Sequence, residues 1–287
     1  MRKSLVAWVV IASVIAAAPK KGRAQEVGRD VEVWTWQGRV DQGRWFRLSS
    51  VNGPVTVEPS GDGLIHVRAE KIPRRNGDIR DVSFMVVPSG GDIRICAMWY
   101  DRDECDADGL HSSGDRGRRR DREVEVRFTV RVPRGVHVEA GTVNGSMSVR
   151  DVGSRVNAST VNGGVEVRNA GGQVRAATVN GGVEVSTSAG PVSATTVNGD
   201  VNARMLALAN DGDMDFNTVN GTIRVETPSS LNATVRMDTM HGGISTDYPV
   251  QISGRFGPRH AEGTIGRGGS RIRMETVNGN IELLKTR

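Results

Sequence analysis

The sequence predicts an all-β fold: a two-faced β-solenoid or β-helix with coils of about 18 residues, preceded by an irregular N-terminal β cap. Three observations carry this. The tetrapeptide Thr-Val-Asn-Gly starts at Thr142 and returns at Thr160, Thr178 and Thr196, each time 18 residues on. Apolar and polar residues alternate on both sides of it, the mark of strands with one buried face. The 287 residues include 36 glycines but only 4% aromatics, which implies many tight turns and a core of small side chains. A fixed period in this range means stacked supersecondary units.

Residues 1–24 read as a secretory signal. Basic Met1-Arg2-Lys3 precedes an almost wholly apolar run from Leu5 to Ala18, and a polar stretch ends at Gly22-Arg23-Ala24. The run is shorter than the roughly 18 residues a membrane-spanning helix needs, and no second one occurs, so the mature chain is expected to lack a transmembrane segment. Cleavage is expected after Ala24. Lys20 and Lys21, between the run and that site, leave an uncleaved anchor as the alternative. The segment holds Arg2, Lys3, Lys20, Lys21 and Arg23 and no acid, which accounts for the whole formal charge of +5. A near-neutral mature chain lacks the bulk attraction that nucleic-acid binding requires.

Residues 25–132 use the same vocabulary less regularly and read as a β region continuous with the solenoid. Ser50-Val51-Asn52-Gly53-Pro54-Val55-Thr56-Val57 resembles an early coil, and Val124, Val126, Phe128, Val130 and Val132 alternate with polar residues as a strand. A cap is needed because an open solenoid end is an unpaired edge that invites aggregation. Cys96 and Cys105 are the only cysteines. In an oxidising compartment they are expected to form one disulfide closing a short loop, since two cysteines without a histidine pair supply too few ligands for zinc. The stretch 109–122, with Arg116, Arg118, Arg119, Arg120 and Arg122, reads as a loop.

Residues 133–287 are the solenoid repeats. Four residues before each turn threonine stand Val138, Val156, Val174, Val192, Met214, Val235 and Ile272; two before it stand Ala140, Ala158, Ala176, Ala194, Phe216, Met237 and Met274. After the turn, Met147, Val165, Val183, Val201, Ile223, Ile244 and Ile281 begin a second strand, so each coil holds two. The turns are Asn144-Gly145, Asn162-Gly163, Asn180-Gly181, Asn198-Gly199, Asn220-Gly221 and Asn278-Gly279, with His241 replacing the asparagine in one unit. Both residue types tolerate positive φ, and stacked asparagines can form an amide ladder at about 4.8 Å per coil. A simple hairpin is the alternative for each Asn-Gly, but the constant spacing favours stacking. The pattern leaves open whether the turn threonine or the following valine faces inward. From Thr218 onward the unit length changes and the inward column enlarges to Phe216, Met237 and Met274, so the solenoid is expected to widen, with 251–270 as an extended loop or irregular coil.

The Thr-Val-Asn-Gly-Gly-Val-Glu-Val units, the segment Val130-Arg131-Val132-Pro133-Arg134-Gly135-Val136 and the secretion signal resemble the bacterial putative-adhesin family over roughly residues 38–287. The resemblance implies a β-helical repeat domain of unknown function associated with the cell envelope. It supplies no catalytic residues.

The residues themselves carry little chemistry. His66, His111, His137, His241 and His260 show no metal-ligand spacing, and there is no nucleophile elbow, phosphate loop or dinucleotide fingerprint; no catalytic residue and no cofactor are expected. Asp101, Asp103, Asp106 and Asp108, with Glu104, are dense enough in carboxylates to raise calcium, although a solvated acidic loop accounts for them better. Glu166 and Glu184 occupy one outward position in adjacent coils, at a spacing near that of the paired carboxylates of retaining glycosidases. A surface ladder relieved by Arg168 is the stronger reading. The sequence therefore predicts a secreted, periplasmic or surface module that binds or scaffolds without catalysis. Envelope polysaccharide or another envelope protein is its expected partner, and Glu166, Arg168 and Glu184 are its candidate surface residues. A stress-sensing or regulatory protein-binding component and a polysaccharide-active β-helix enzyme are the alternatives.

Overall fold

A computed structural model describes residues 25–27, 33–74, 77–99, 103–112, 124–188, 190–208, 212–254 and 257–286. The secretory signal, Asp101 and the arginine run at 116–122 lie outside the described residues. Among those described, a 13-stranded and an 11-stranded sheet enclose one hydrophobic core.

Each regular coil gives one strand to each sheet. Val156–Ser159 lies in the larger sheet and Val165–Ala170 in the smaller; Val174–Ala177 and Val183–Thr187 repeat the arrangement one coil on. Neighbouring coils pair in parallel and in register, Val156 opposite Val174 and Val165 opposite Val183. The period-two alternation is the cause: every second side chain of both strands is buried, save that a bulge after Arg168 moves the next buried position to Ala170. Each fully buried valine contributes about 1.5–3 kcal/mol relative to exposure.

The turn between the two strands has the threonine inside and the valine outside. Thr160 Oγ1 donates to the carbonyl of Gly145 in the preceding coil at 2.8 Å, and Thr178 and Thr196 repeat this on Gly163 and Gly181. A buried hydroxyl must find an acceptor, and the coil beneath offers one at the same place each time. Outside, Asn162 Nδ2 donates to Asn144 Oδ1 at 2.8 Å, and the amide ladder continues through Asn180, Asn198 and Asn220 at 2.9 Å per step. The glycine is fixed by crowding as well as by its φ of 153°: a Cβ at Gly163 would stand 2.3 Å from the carbonyl oxygen of Gly145.

The first coil comes from the N-terminal region. Trp45–Ser49 pairs with His137–Gly141, and Val55–Pro59 pairs with Met147–Arg150. Thr142 Oγ1 accordingly reaches the carbonyl of Gly53, 89 residues away, at 3.1 Å. The intervening chain closes the end with antiparallel strands. Val124–Val132 lies beside Ile65–Pro73, which pairs in turn with Val33–Gly38, and Ser83–Ser89 forms a hairpin with Asp92–Met98. Aromatic rings fill this end, with Trp34 stacked on Phe84 at 4.6 Å and Phe84 edge-on to Phe128 at 5.8 Å.

At the other end the coils leave sequence order. Ser270–Asn278 lies between Met214–Asn220 and Ala233–His241 in the larger sheet. In the smaller sheet Ile281–Lys285 lies between Ile223–Thr227 and Ile244–Thr246. The inserted coil carries Asn278, whose amide donates to Asn220 Oδ1 at 2.8 Å; the displaced coil carries His241, which cannot continue an amide ladder. The expectation of a loop or irregular coil over 251–270 is corrected. Gln251–Ser253 and Arg259–Ile265 form a hairpin antiparallel to Ala233–His241, because Ala261 and Ile265 alternate with polar residues and are buried. Phe216, Met274 and Met237 then follow one another as the enlarged inward column, all fully buried.

Candidate functional site

The outer face of the smaller sheet holds the three residues singled out from sequence. Glu166 and Glu184 stand opposite one another on adjacent parallel strands, with Arg168 opposite Ser186 two residues on. Arg168 pairs with Glu166 and reaches Glu184 at 3.4 Å, while Arg150 reaches Glu166 at 3.1 Å from the other side. Ser148 Oγ also donates to Glu166 at 3.1 Å. Partial burial pushes the Glu166 carboxyl up, but the hydrogen bonds from Arg150 and Ser148 and the charges of Arg168 and Arg150 outweigh it and hold the group below the usual glutamate range. The pattern continues along the face, with Arg224 bridging Glu226 at 3.2 Å and Glu282 at 3.1 Å.

Two shallow openings lie on this face. One, of 600 Å³, is lined by Ser148, Glu166, Glu184, Asn198, Asp200 and Asn202 among others. The second, of 460 Å³, is lined by Arg168, Glu184, Asn202, Arg204, Arg224 and Glu226 among others. Glu184 and Asn202 belong to both, so the openings run into one another across the strands. Chemically the surface presents charged and amide hydrogen-bonding groups at the coil repeat. The general acid of a retaining glycosidase needs a raised pKa; Glu166 is shifted the other way.

The cysteine loop covers the outside of the larger sheet near its N-terminal end. Cys96 is bonded to Cys105, with Cα atoms 6.2 Å apart, and the pair packs with Val87 and Met98 in a small cluster outside the main core. Of the acidic residues there, Asp103 Oδ2 accepts from the backbone N–H of Trp99 at 3.0 Å. Asp106 Oδ1 accepts from the N–H groups of Asp108 and Gly109 at 2.8 and 3.0 Å, which holds its carboxyl below the usual range. These carboxylates organise the loop's own backbone, and among the described residues no three potential ligand side chains converge on a metal position.

Two histidines form polar clusters that the sequence did not announce. His137 Nδ1 is hydrogen-bonded to the buried hydroxyl of Ser154, and its ring lies 5.0 Å from that of Trp45. Burial, then the charge of Arg155, lowers its pKa against the opposing pull of Asp92. Ser154 is too enclosed for this pair to meet a substrate. His260 Nδ1 lies 2.7 Å from Asp238 and its Nε2 3.2 Å from Glu262. The Asp238 contact raises the His260 pKa, opposed by burial and aided by Glu262. His260, Met240, Val277 and Glu275 help to line a 400 Å³ pocket at the C-terminal end.

The turn edge is the feature that the sequence could not place. With the threonines inside, Val143, Val161, Val179, Val197, Val219, Val277 and Met240 project into solvent, each 37–48% exposed. The missing signal was the hydroxyl's need for an acceptor, which depends on the neighbouring coil and not on local alternation.

A family model for Toastrack DUF4097 matches residues 71–284. Among solved structures, a putative cell adhesion protein from Clostridium sporogenes is similar at 9% identity and a TM-score of 0.35, covering 92% of this chain and 100% of that one. A putative adhesin from Bacteroides fragilis is similar at 9% identity and a TM-score of 0.32, covering 88% and 97%. Likenesses this distant do not bear on function.

Proposed function

This chain belongs to the Toastrack DUF4097 family, and from that premise we propose that it is a non-enzymatic binding or scaffolding module that holds an envelope polysaccharide along the outer face of its smaller sheet. The observation that carries the reading is the pair of adjoining shallow openings sharing Glu184 and Asn202 on a charge-compensated face. Hydrogen-bonding groups recur there at each coil, about 4.8 Å apart, so a polymer can be held at several points without a deep pocket. Catalysis on the same polymer is disfavoured by the charged state in which Arg150 and Ser148 hold Glu166. Secretion or residence in the periplasm or at the surface, after cleavage near Ala24, fits the character of residues 1–24. No helix among the described residues is long and apolar enough to cross a membrane.

Co-sedimentation of the purified protein with envelope polymers, with soluble sugar assayed in the supernatant, tests this reading. Pelleting without sugar release is expected, with Arg168→Ala weakening it roughly three- to tenfold. Sugar release abolished by Glu184→Gln would make the protein an enzyme, and failure to pellet would remove the polymer. A second reading, a regulatory or stress-sensing component that recognises a protein, is favoured by the exposed apolar line on the turn edge.

A further inference from the structure

Among the described residues, most of the exposed large apolar side chains stand in one line, running from Val143 through Val161, Val179, Val197 and Val219 to Val277. The repeat offers an internal comparison. The outward position in the following strand has diverged to Ser148, Glu166, Glu184, Asn202, Arg224 and Glu282, whereas the turn position stays aliphatic even in the coils of Val219 and Val277. Backbone preference does not explain the choice, because threonine is β-branched and suits extended backbone equally well. The apolar surface itself is what has been kept.

The same edge is nearly free of charge. The turn segments 141–146, 159–164, 177–182, 195–200, 217–222 and 275–280 contain two ionisable side chains, Asp200 and Glu275, in a chain with 25% charged residues. The Asp200 carboxylate accepts from the backbone N–H of Thr222 at 2.7 Å, and that of Glu275 accepts from Arg273 at 2.7 Å. The outer face of the smaller sheet, by contrast, is laced with ion pairs. A charge-free strip can meet an identical copy without desolvating or opposing any charge, whereas a partner of different sequence would gain from complementary charges.

We propose that this turn edge is a reversible contact with a second copy of the chain, the two copies antiparallel about a two-fold axis near Val179. Both edges share one period of about 4.8 Å, so the valines of one can settle between those of the other, as in dry sheet interfaces. Two-fold symmetry makes the contact isologous and sets Val143 against Val219 of the partner subunit. From Val143 to Val277 the strip spans five coil steps, about 24 Å, and, with sheets about 10 Å apart, is about 10 Å wide. Pairing two such strips buries on the order of 500 Å², too little for a permanent dimer. The contact gains weight where copies are crowded on one polymer or surface. It does not rest on polymer binding, although the strip adjoins the 600 Å³ opening, which Asn198 and Asp200 of one turn help to line.

The native cysteines are joined to each other, so a single introduced cysteine reports the contact. Under mild oxidation, Val179→Cys is expected to cross-link into dimers at least tenfold faster than Leu206→Cys, whose exposed site lies on the opposite edge. Sedimentation velocity should show the average mass of the unmodified protein rising with concentration. Adding Val161→Arg and Val197→Arg should abolish both effects with the melting temperature unchanged, since both side chains face solvent. Equal cross-linking at the two positions, association that survives the arginines, or an unmodified protein that stays a single chain at every concentration would overturn the proposal. The last result would leave the edge to a different envelope protein, whatever the polymer assay showed.

Discussion

Thr276 Oγ1 donates to the carbonyl of Gly221 at 3.1 Å, across 55 residues of sequence, while Thr239 bonds instead to Gly279 at 2.9 Å. These two bonds put the last coil of the chain inside the stack and the one before it at the end. The coil at 233–246 therefore has no coil to stack on until residues 270–285 are in place; its other strand partner is the hairpin strand Arg259–Ile265 on the far side.

Removing residues 270–287 should consequently do more than trim an end. Met237 and Val235 pack in register on Met274 and Ile272, and Ile223 and Val225 lie beside Ile281 and Leu283. Native-state hydrogen exchange on a chain ending at Gly269 is expected to show lost protection at Val235 and Met237 and weakened protection at Ile223 and Val225. Full protection of 233–241 would mean that pairing with Arg259–Ile265, or stacking directly on 214–227, is enough to hold this coil.

The two glycines of one turn should respond very differently to alanine. A Cβ at Gly163 meets the carbonyl oxygen of Gly145 at 2.3 Å, whereas one at Gly164 has its nearest neighbour, the carbonyl oxygen of Gly182, at 3.5 Å. Gly163→Ala is expected to cost about 2–4 kcal/mol, from a steric conflict with backbone and a left-handed φ. Gly164→Ala should be neutral or stabilising by up to about 1 kcal/mol, through the entropy of the unfolded chain. Denaturant midpoints decide the matter; equal losses would show that the coils can separate locally.

What was legible in the sequence was whatever repeats locally. The alternation around Val156, Ala158, Val165 and Val167 specifies two strands and their buried faces, and the spacing specifies stacking. What was not legible depends on which coil is the neighbour. Whether Thr160 or Val161 turns inward is decided by the carbonyl of Gly145, and whether Thr276 or Thr239 stacks on Gly221 depends on which of two coils with the same local pattern pairs with Met214–Asn220, which local alternation does not encode. The hairpin at 251–265 was hidden by its glycines, although Ala261 and Ile265 mark one face of a strand. At the candidate face, register placed Glu166 and Glu184 together, but the clamp from Arg150 and Ser148 appears only with side chains in place.

Two clusters should shape the pH dependence of stability with opposite signs. Glu166 titrates below its unfolded value of about 4.3, so its contribution is complete above that pH and is lost as the pH falls through the depressed folded value. His260 titrates above its unfolded value of about 6.5; its contribution is complete below that pH and disappears as the pH rises through the elevated folded value. Melting temperatures followed from acid to mildly alkaline pH should thus fall less steeply on the acid side in Glu166→Gln and on the alkaline side in His260→Gln. Superimposable profiles would mean that neither cluster is coupled to folding.

The asparagine ladder can be tested through its direction. Asn180 donates to Asn162 Oδ1 and accepts from Asn198 Nδ2, both at 2.9 Å. Asn180→Asp keeps the shape and the acceptor but replaces the donor with a second acceptor facing Asn162. The lost bond and the repulsion between oxygens should cost about 1–2 kcal/mol at neutral pH, offset in part by a stronger bond from Asn198. Protonation restores a donor, so the deficit relative to the unmodified protein should shrink as the carboxyl titrates in acid. Asn180→Leu, which has nothing to protonate, should show no such recovery. Comparing denaturant midpoints of the three proteins at neutral and acid pH separates a ladder that stabilises the stack from one that merely decorates it: in the second case Asn180→Asp would match the unmodified protein at both.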